Sequence, residues 1–145
     1  MESLRTIKSV KPVSGTMIRI RWIGGRTVDV DLRDLVKKPA FESLRGNRFQ
    51  KVLVGEWGHS VEWPGGIELG ADELWRRALK AEGRNDALEF LDWRMRHGLS
   101  LSAAAEALGL SRRMVAYYSS GSKAVPRTVL LACAGWEHTA AAAAA

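Results

Sequence analysis

The chain has 145 residues, 46% of them apolar and 26% charged, the balance of a globular protein with one ordinary domain or two small ones. No apolar run reaches the length of a membrane span, and the amino-terminal MESLRTIKSV lacks the apolar core of a signal peptide, so a cytoplasmic protein with no membrane partner is expected. A net charge of +6 points to a polyanionic partner, and the single Cys133 excludes an internal disulfide and a thiolate zinc site, leaving a small buried thiol.

In chain order, Met17 to Ile23 alternates in hydropathy, with Ile18, Ile20 and Trp22 on one face and Arg19 and Arg21 on the other. Thr27 to Leu32 repeats the pattern, with Val28, Val30 and Leu32 against Asp29 and Asp31. Directly opposed residues share a face, so the expected hairpin pairs Trp22 with Val28 and Ile20 with Val30. That register sets Arg21 opposite Asp29 and Arg19 opposite Asp31, as ion pairs on a solvated face. It leaves Gly24, Gly25 and Arg26 as a three-residue loop with a positive-φ glycine or a bulge. Arg33 to Val36 predicts a helical turn, and Pro39 to Leu44 a second, with proline in the first helical position and Phe41 and Leu44 toward the core. Phe49 to Val54 reads as a further strand, and His59 beside Gly58 as a turn residue. Ser60 to Trp63 and Ile67 to Leu69 read as short strands joined by Pro64-Gly65-Gly66, and Ala71 to Leu79 as a helix. Together these elements predict a small α+β domain with one antiparallel sheet.

The early hairpin, the Phe-x-x-Leu segment at Phe41 to Leu44 and the Trp-Pro-x-Gly turn at Trp63 to Gly66 resemble a small family of unknown function, domain-of-unknown-function family 2442. That resemblance implies no catalytic residues. Members are often encoded near toxin–antitoxin systems, so it implies, as an alternative, an antitoxin that binds a toxin protein and autoregulates its operon.

Lys80 to Asn85 is polar and carries a glycine, and marks the boundary between a domain over residues 1–79 and one over residues 85–138. Asn85 or Asp86 is placed to cap a helix running to His97, with Leu88, Leu91 and Met95 on its apolar face. The stretch Gly98 to Gly121, GLSLSAAAEALGLSRRMVAYYSSG, then describes two short helices crossing at a steep angle. Ser100 or Ser102 caps a first helix through Ala103 to Leu108, Gly109 stops it, Leu110 plugs the turn, and Ser111 caps a second helix, Arg112 to about Ser119, which Gly121 closes. Ala105 opposite Val115 lets the two backbones approach. Pro126 opens a last helix whose Val129, Leu130, Cys133 and Trp136 close the core. The alanines from Ala140 to Ala145 are left out of the fold reasoning, and the six Trp residues read as core anchors.

Gly98, Leu99, Ser100, Ala105, Gly109, Leu110, Ser111, Val115 and Gly121 match the helix-turn-helix of the phage-repressor or xenobiotic-response-element class, which this segment resembles. Leu101 departs from that pattern where a polar residue usually touches a phosphate, and Ala104 where a leucine is common. The resemblance implies an all-α DNA-binding domain in which Arg112, Arg113 and Tyr117 project into the major groove, Met114 meets a thymine methyl, and Ser100, Ser111, Ser122 and Lys123 serve the start of the helices and the phosphates. Arg127 falls where the family places an arginine near the minor groove. Tyr118 reads as core, and Tyr117 suits either role. From Arg94 to Arg127 the bases Arg94, Arg96, Arg112, Arg113, Lys123 and Arg127 face one acid, Glu106, so the positive excess is expected to gather on this motif.

His59, His97 and His138 lie far apart, with no metal-binding spacing and no glycine-rich phosphate loop, so neither an enzyme nor a cofactor is expected. The sequence therefore predicts a two-domain transcriptional regulator, a repressor binding double-stranded DNA as a homodimer. Its amino-terminal domain is expected to supply the dimer or partner surface.

Overall fold

The structure, a computed structural model, describes residues 5–144; residues 1–4 of the predicted first domain and Ala145 of the terminal alanines lie outside the described residues. The chain divides into two compact units, Met1–Ala81 and Glu82–Ala145.

In the first unit, β1 (Ile7–Pro12), β2 (Met17–Trp22) and β3 (Thr27–Asp31) form an antiparallel meander. The alternation puts Ile18, Ile20, Trp22, Val28 and Val30 inside, as their spacing requires. The register, however, lies two residues from the expected one: Ile20 faces Val28, Ile18 faces Val30 and Arg19 faces Asp29. A shift of two preserves the faces, so hydropathy alone does not distinguish the two registers. The loop decides. Gly25 N–H donates to the Trp22 carbonyl and Trp22 N–H to that of Arg26, at 3.0 and 2.8 Å, so the loop is Ile23-Gly24-Gly25. Its last two positions take φ of 104° and 97°, which the two glycines tolerate and Arg26 would not. Arg19 accordingly clasps Asp29 through Nε and Nη2 at 2.7 and 3.0 Å and lowers its carboxyl pKa, while Arg21 faces Thr27. β1 escapes the sequence reading because a bulge between Ile7 and Ser9 breaks its alternation.

α1 (Arg33–Val36) follows, then two 3₁₀ segments, Pro39–Leu44 and Gly46–Lys51. The second corrects the strand expected over Phe49 to Val54, of which only β4 (Leu53–Val54) pairs as a strand, after Val52 in extended backbone. Phe49 is buried within that segment and Val52 just after it, and the Phe49 carbonyl accepts from Trp63 Nε1 at 3.1 Å. Leu44 is buried and Phe41 half-buried. β4, β5 (Ser60–Trp63) and β6 (Ile67–Gly70) form a second antiparallel meander, so the unit holds two three-stranded sheets instead of one. Each strand pairs with its sequence neighbour, so neither meander needs the other's edge. α2 (Ala71–Ala81) buries Leu74, Trp75, Ala78 and Leu79, with Trp75 edge-on to Trp22 at 4.8 Å between ring centroids. Arg77 joins α2 to α1 by a two-pronged bond to Asp34 at 2.8 and 2.9 Å, which holds that carboxyl at about 2.

The second unit is helical: α3 (Asn85–Arg96), α4 (Leu101–Leu108), α5 (Arg112–Ser120) and α6 (Arg127–Ala144). Its core gathers Phe90, Trp93, Leu101, Ala104, Ala105, Val115, Tyr118, Val125 and Cys133, with Val129, Leu130 and Trp136 packed against it. On α3 the buried face is Ala87, Phe90, Leu91, Trp93 and Arg94; Met95, expected inside, is 45% exposed. α6 continues through the alanines as far as Ala144, as the high helix propensity of alanine favours. No helix among the described residues is long and apolar enough to cross a membrane.

Candidate nucleic-acid interface

The corner between α3 and α4 is built around a buried cation. Arg94, 2% exposed, donates through Nη1 to the Leu99 carbonyl at 3.2 Å, while the Leu99 amide donates to the Arg94 carbonyl at 2.9 Å. The chain then enters α4 with Ser100 as cap, its Oγ accepting from the Ala103 amide at 3.0 Å. Leu101 is buried here, so the position that would be polar in the repressor pattern serves the core instead. Gly109 ends α4 with φ 69° and ψ 32°, a left-handed conformation that a side chain would disfavour, and Ser111 caps α5, accepting from the Met114 amide at 3.1 Å. Ala104, Ala105, Val115 and Tyr118 are all buried where α4 and α5 pack. Small alanines let the two backbones close on each other.

With Val115, Tyr118 and Ser119 inside, the opposite side of α5 is left to solvent, and both Arg112 and Arg113 are exposed in its first turn. Arg113 Nε donates to the Tyr117 hydroxyl at 2.8 Å, and its guanidinium carbon lies 5.4 Å from that ring's centroid. Lys123 Nζ lies 4.8 Å from the same centroid. Arg113, Tyr117 and Lys123 thus form one cluster, with Ser122, whose hydroxyl meets that of Ser120 at 2.7 Å, next to Lys123 in the chain. Arg127 is exposed at the start of α6, and Met114 is half-buried against the core. The Ser100 and Ser111 oxygens are engaged as caps.

Two of the six bases counted toward this surface do not belong to it. Arg94 is interior, and Arg96 is paired with Glu137, which also meets His97 Nε2 at 3.0 Å; these bonds lower the Glu137 pKa. Nor does the charge excess gather on this motif as expected: residues 1–81 hold 15 of the 22 Lys and Arg and 10 of the 16 Asp and Glu, so most of the positive excess lies in the first unit. What marks α5 is exposure without acidic neighbours on its own helix.

Sequence reasoning also missed what holds the Gly121–Val125 loop. Asp86, read as a helix cap, instead accepts from the Val125 amide at 2.8 Å and from Arg84 Nε at 3.1 Å. Arg84 in turn donates to the Gly121 and Lys123 carbonyls. Burial pushes the Asp86 carboxyl up, but the Arg84 guanidinium and the backbone of Val125 and Ala87 outweigh it and hold the pKa at about 2. The loop lies more than 35 residues from Arg84 and Asp86, and no local pattern announces these bonds.

A cleft of about 340 Å³ opens along α3 and α6, lined by Glu89, Asp92, Trp93, Cys133 and Glu137 among others. Burial first, then Glu137 and Glu89, push the Cys133 thiol up to about 12, so at neutral pH it is a packed thiol rather than a nucleophile. Among the described residues no three His, Cys, Asp or Glu side chains gather as a metal site.

A family model described as "Protein of unknown function (DUF2442)" matches residues 7–80, which spans the two sheets and α2. The chain belongs to this family. No curated protein matches it. A solved structure, the crystal structure of "Putative DNA Binding Protein NE0471" from Nitrosomonas europaea, is 39% identical, covers 91% of this chain and 86% of its own, and superposes with a TM-score of 0.68. The likeness therefore extends beyond the family match into the helical unit.

Proposed function

We propose that this protein binds double-stranded DNA through a helix-turn-helix made of α4, the Gly109–Ser111 turn and α5, and acts as a transcriptional repressor. The observation that carries the reading is the capped amino end of α5, which leaves Arg112 and Arg113 exposed while Val115 and Tyr118 anchor the helix from the other side. A helix held in this way can lie in a major groove, where a guanidinium reads guanine O6 and N7. The likeness over 91% of the chain to a protein described as DNA binding supports it.

In this reading Arg112, Arg113 and Tyr117 face base edges and Met114 a thymine methyl. Ser100, Ser111, Ser122 and Lys123 contact phosphates, Ser100 and Ser111 by donating the hydroxyl hydrogen that capping leaves unused, and Arg127 lies near the minor groove. Two copies bind a palindrome with half-sites about one helical turn, roughly 34 Å, apart. Selecting bound sequences from a random duplex pool and titrating the winner tests it: a salt-dependent, sequence-preferring complex of two protomers is expected, and failure to enrich any sequence overturns it.

A further inference from the structure

A positive ridge outside α5 lies in the first unit. Between Lys37 and Lys51 stand five exposed bases, Lys37, Lys38, Arg45, Arg48 and Lys51, against one acid, Glu42. Four arginines elsewhere in this unit are paired with carboxylates, Arg19 with Asp29, Arg33 with Asp31, Arg76 with Glu73, and Arg77 with Asp34 and Glu73, while Arg21 faces Thr27. The side chains of Lys37, Lys38, Arg48 and Lys51 make no hydrogen bond or ion pair with any described residue.

Their arrangement follows from the backbone. In the 3₁₀ segment Gly46–Lys51, side chains three apart eclipse, at a rise of about 6 Å per turn. Arg48 and Lys51 are three apart, and Arg45, the residue before the segment, stands one step further back. Phe49 within the segment and Val52 just after it are buried and hold it down. Arg45 folds toward α1, donating through Nε to the Val36 carbonyl at 3.1 Å and through Nη2 to that of Lys37 at 3.0 Å, which brings the Lys37–Lys38 step to the same ridge. The Arg48 guanidinium lies beside the Pro64–Gly66 turn, where a Cβ built on Gly65 would stand 3.8 Å from Nη1. Among the described residues no carboxylate forms an ion pair with the row.

We infer that this 3₁₀ ridge is a second, sequence-independent contact for the phosphate backbone of DNA, separate from α5. The inference rests on the DNA-binding reading for its ligand but not for its residues. Phosphate neutralisation releases counterions in proportion to the number of contacts and carries no sequence preference, which fits a row of cations with no groove-reading helix beside it.

The test uses the full chain, a fluorescein-labelled random-sequence duplex of about three helical turns, and two double variants of equal net charge. R48Q/K51Q removes two bases from the ridge; K8Q/K80Q removes two exposed bases elsewhere in the same unit. Thermal midpoints establish that each stays folded. R48Q/K51Q is expected to lower the slope of log affinity against log salt by about 2 and to weaken selected and random duplexes by the same factor, while K8Q/K80Q changes the slope by less than about 0.5. Equal slopes for the two doubles, or no change in R48Q/K51Q, overturn the ridge. Arg112→Ala separates the two ideas. If Arg112→Ala leaves sequence preference intact while R48Q/K51Q still flattens the slope, the α5 reading fails and the ridge stands. If the unaltered chain binds no duplex, both fail.

Discussion

α3 and α5 each carry two arginines, and the two pairs meet opposite fates. On α3, Arg94 is drawn inside to tie the Leu99 carbonyl and Arg96 is taken by Glu137; on α5, Arg112 and Arg113 stand in solvent with no carboxylate among the described residues bonded to either. The difference comes from position, not from residue type. α3 runs between a turn whose carbonyl needs a donor and a final helix bearing an acid, whereas α5 has neither on its outer side. A count of basic residues in a segment therefore overstates the charge a ligand meets.

The contrast can be broken or sharpened by substitution. The largest effect is expected from Arg94→Ala, which leaves the Leu99 carbonyl without its donor and strips the packed alkyl stem, costing about 2 to 4 kcal/mol of stability in urea unfolding followed by tryptophan fluorescence. If Arg94→Ala unfolds like the unaltered chain, the two arginine pairs do not differ as described. Arg112→Ala is the reverse case: about 1 to 3 kcal/mol lost on the selected duplex, with unfolding stability unchanged within about 0.5 kcal/mol. Equal losses on selected and random duplexes would remove Arg112 from the base-reading set.

Asp86→Asn is next, since an amide keeps the Val125 bond but loses the charge that clasps Arg84; about 1 to 2 kcal/mol of stability is expected to go. The pH dependence has a definite sign. The Asp86 carboxyl titrates at about 2 in the folded chain against an ordinary 3.8, so its contribution is present above about 3.8 and is lost as pH falls toward 2. Asp34, also held at about 2, acts in the same window, so Asp86→Asn should reduce the acid limb of the stability curve without abolishing it. An acid limb unchanged in Asp86→Asn would show that the clasp contributes nothing. The smallest effect belongs to Tyr117→Phe, which removes the hydroxyl that Arg113 holds but keeps the ring beneath Lys123; less than about 0.5 kcal/mol in stability is expected.

The candidate interface was legible where its cause is local. Ser100, Gly109, Ser111 and Gly121 act within one turn of themselves, so capping chemistry and a left-handed stop can be read from neighbours in the chain. The α2 helix and the β5–β6 turn were readable for the same reason. The hairpin was readable only as far as its faces, because period-two alternation survives a shift of two, and the actual register waited on where two positive-φ glycines fit. The 3₁₀ segment at Gly46–Lys51 was hidden because Phe49 and Val52 are compatible with a strand until Trp63 is known to bond the Phe49 carbonyl.

The sequence alone determined most of the interior faces, though not Met95, and where the short helices begin and end and which side of α5 is free, since propensity, capping and periodicity act over a few neighbouring residues. Only the tertiary structure decided which charges remain available. The Glu137 carboxylate that takes Arg96 and the Val125 amide that Asp86 holds lie 41 and 39 residues away in the chain, and among the described residues no carboxylate pairs with the bases from Lys37 to Lys51. Their geometry is fixed by packing rather than by local preference.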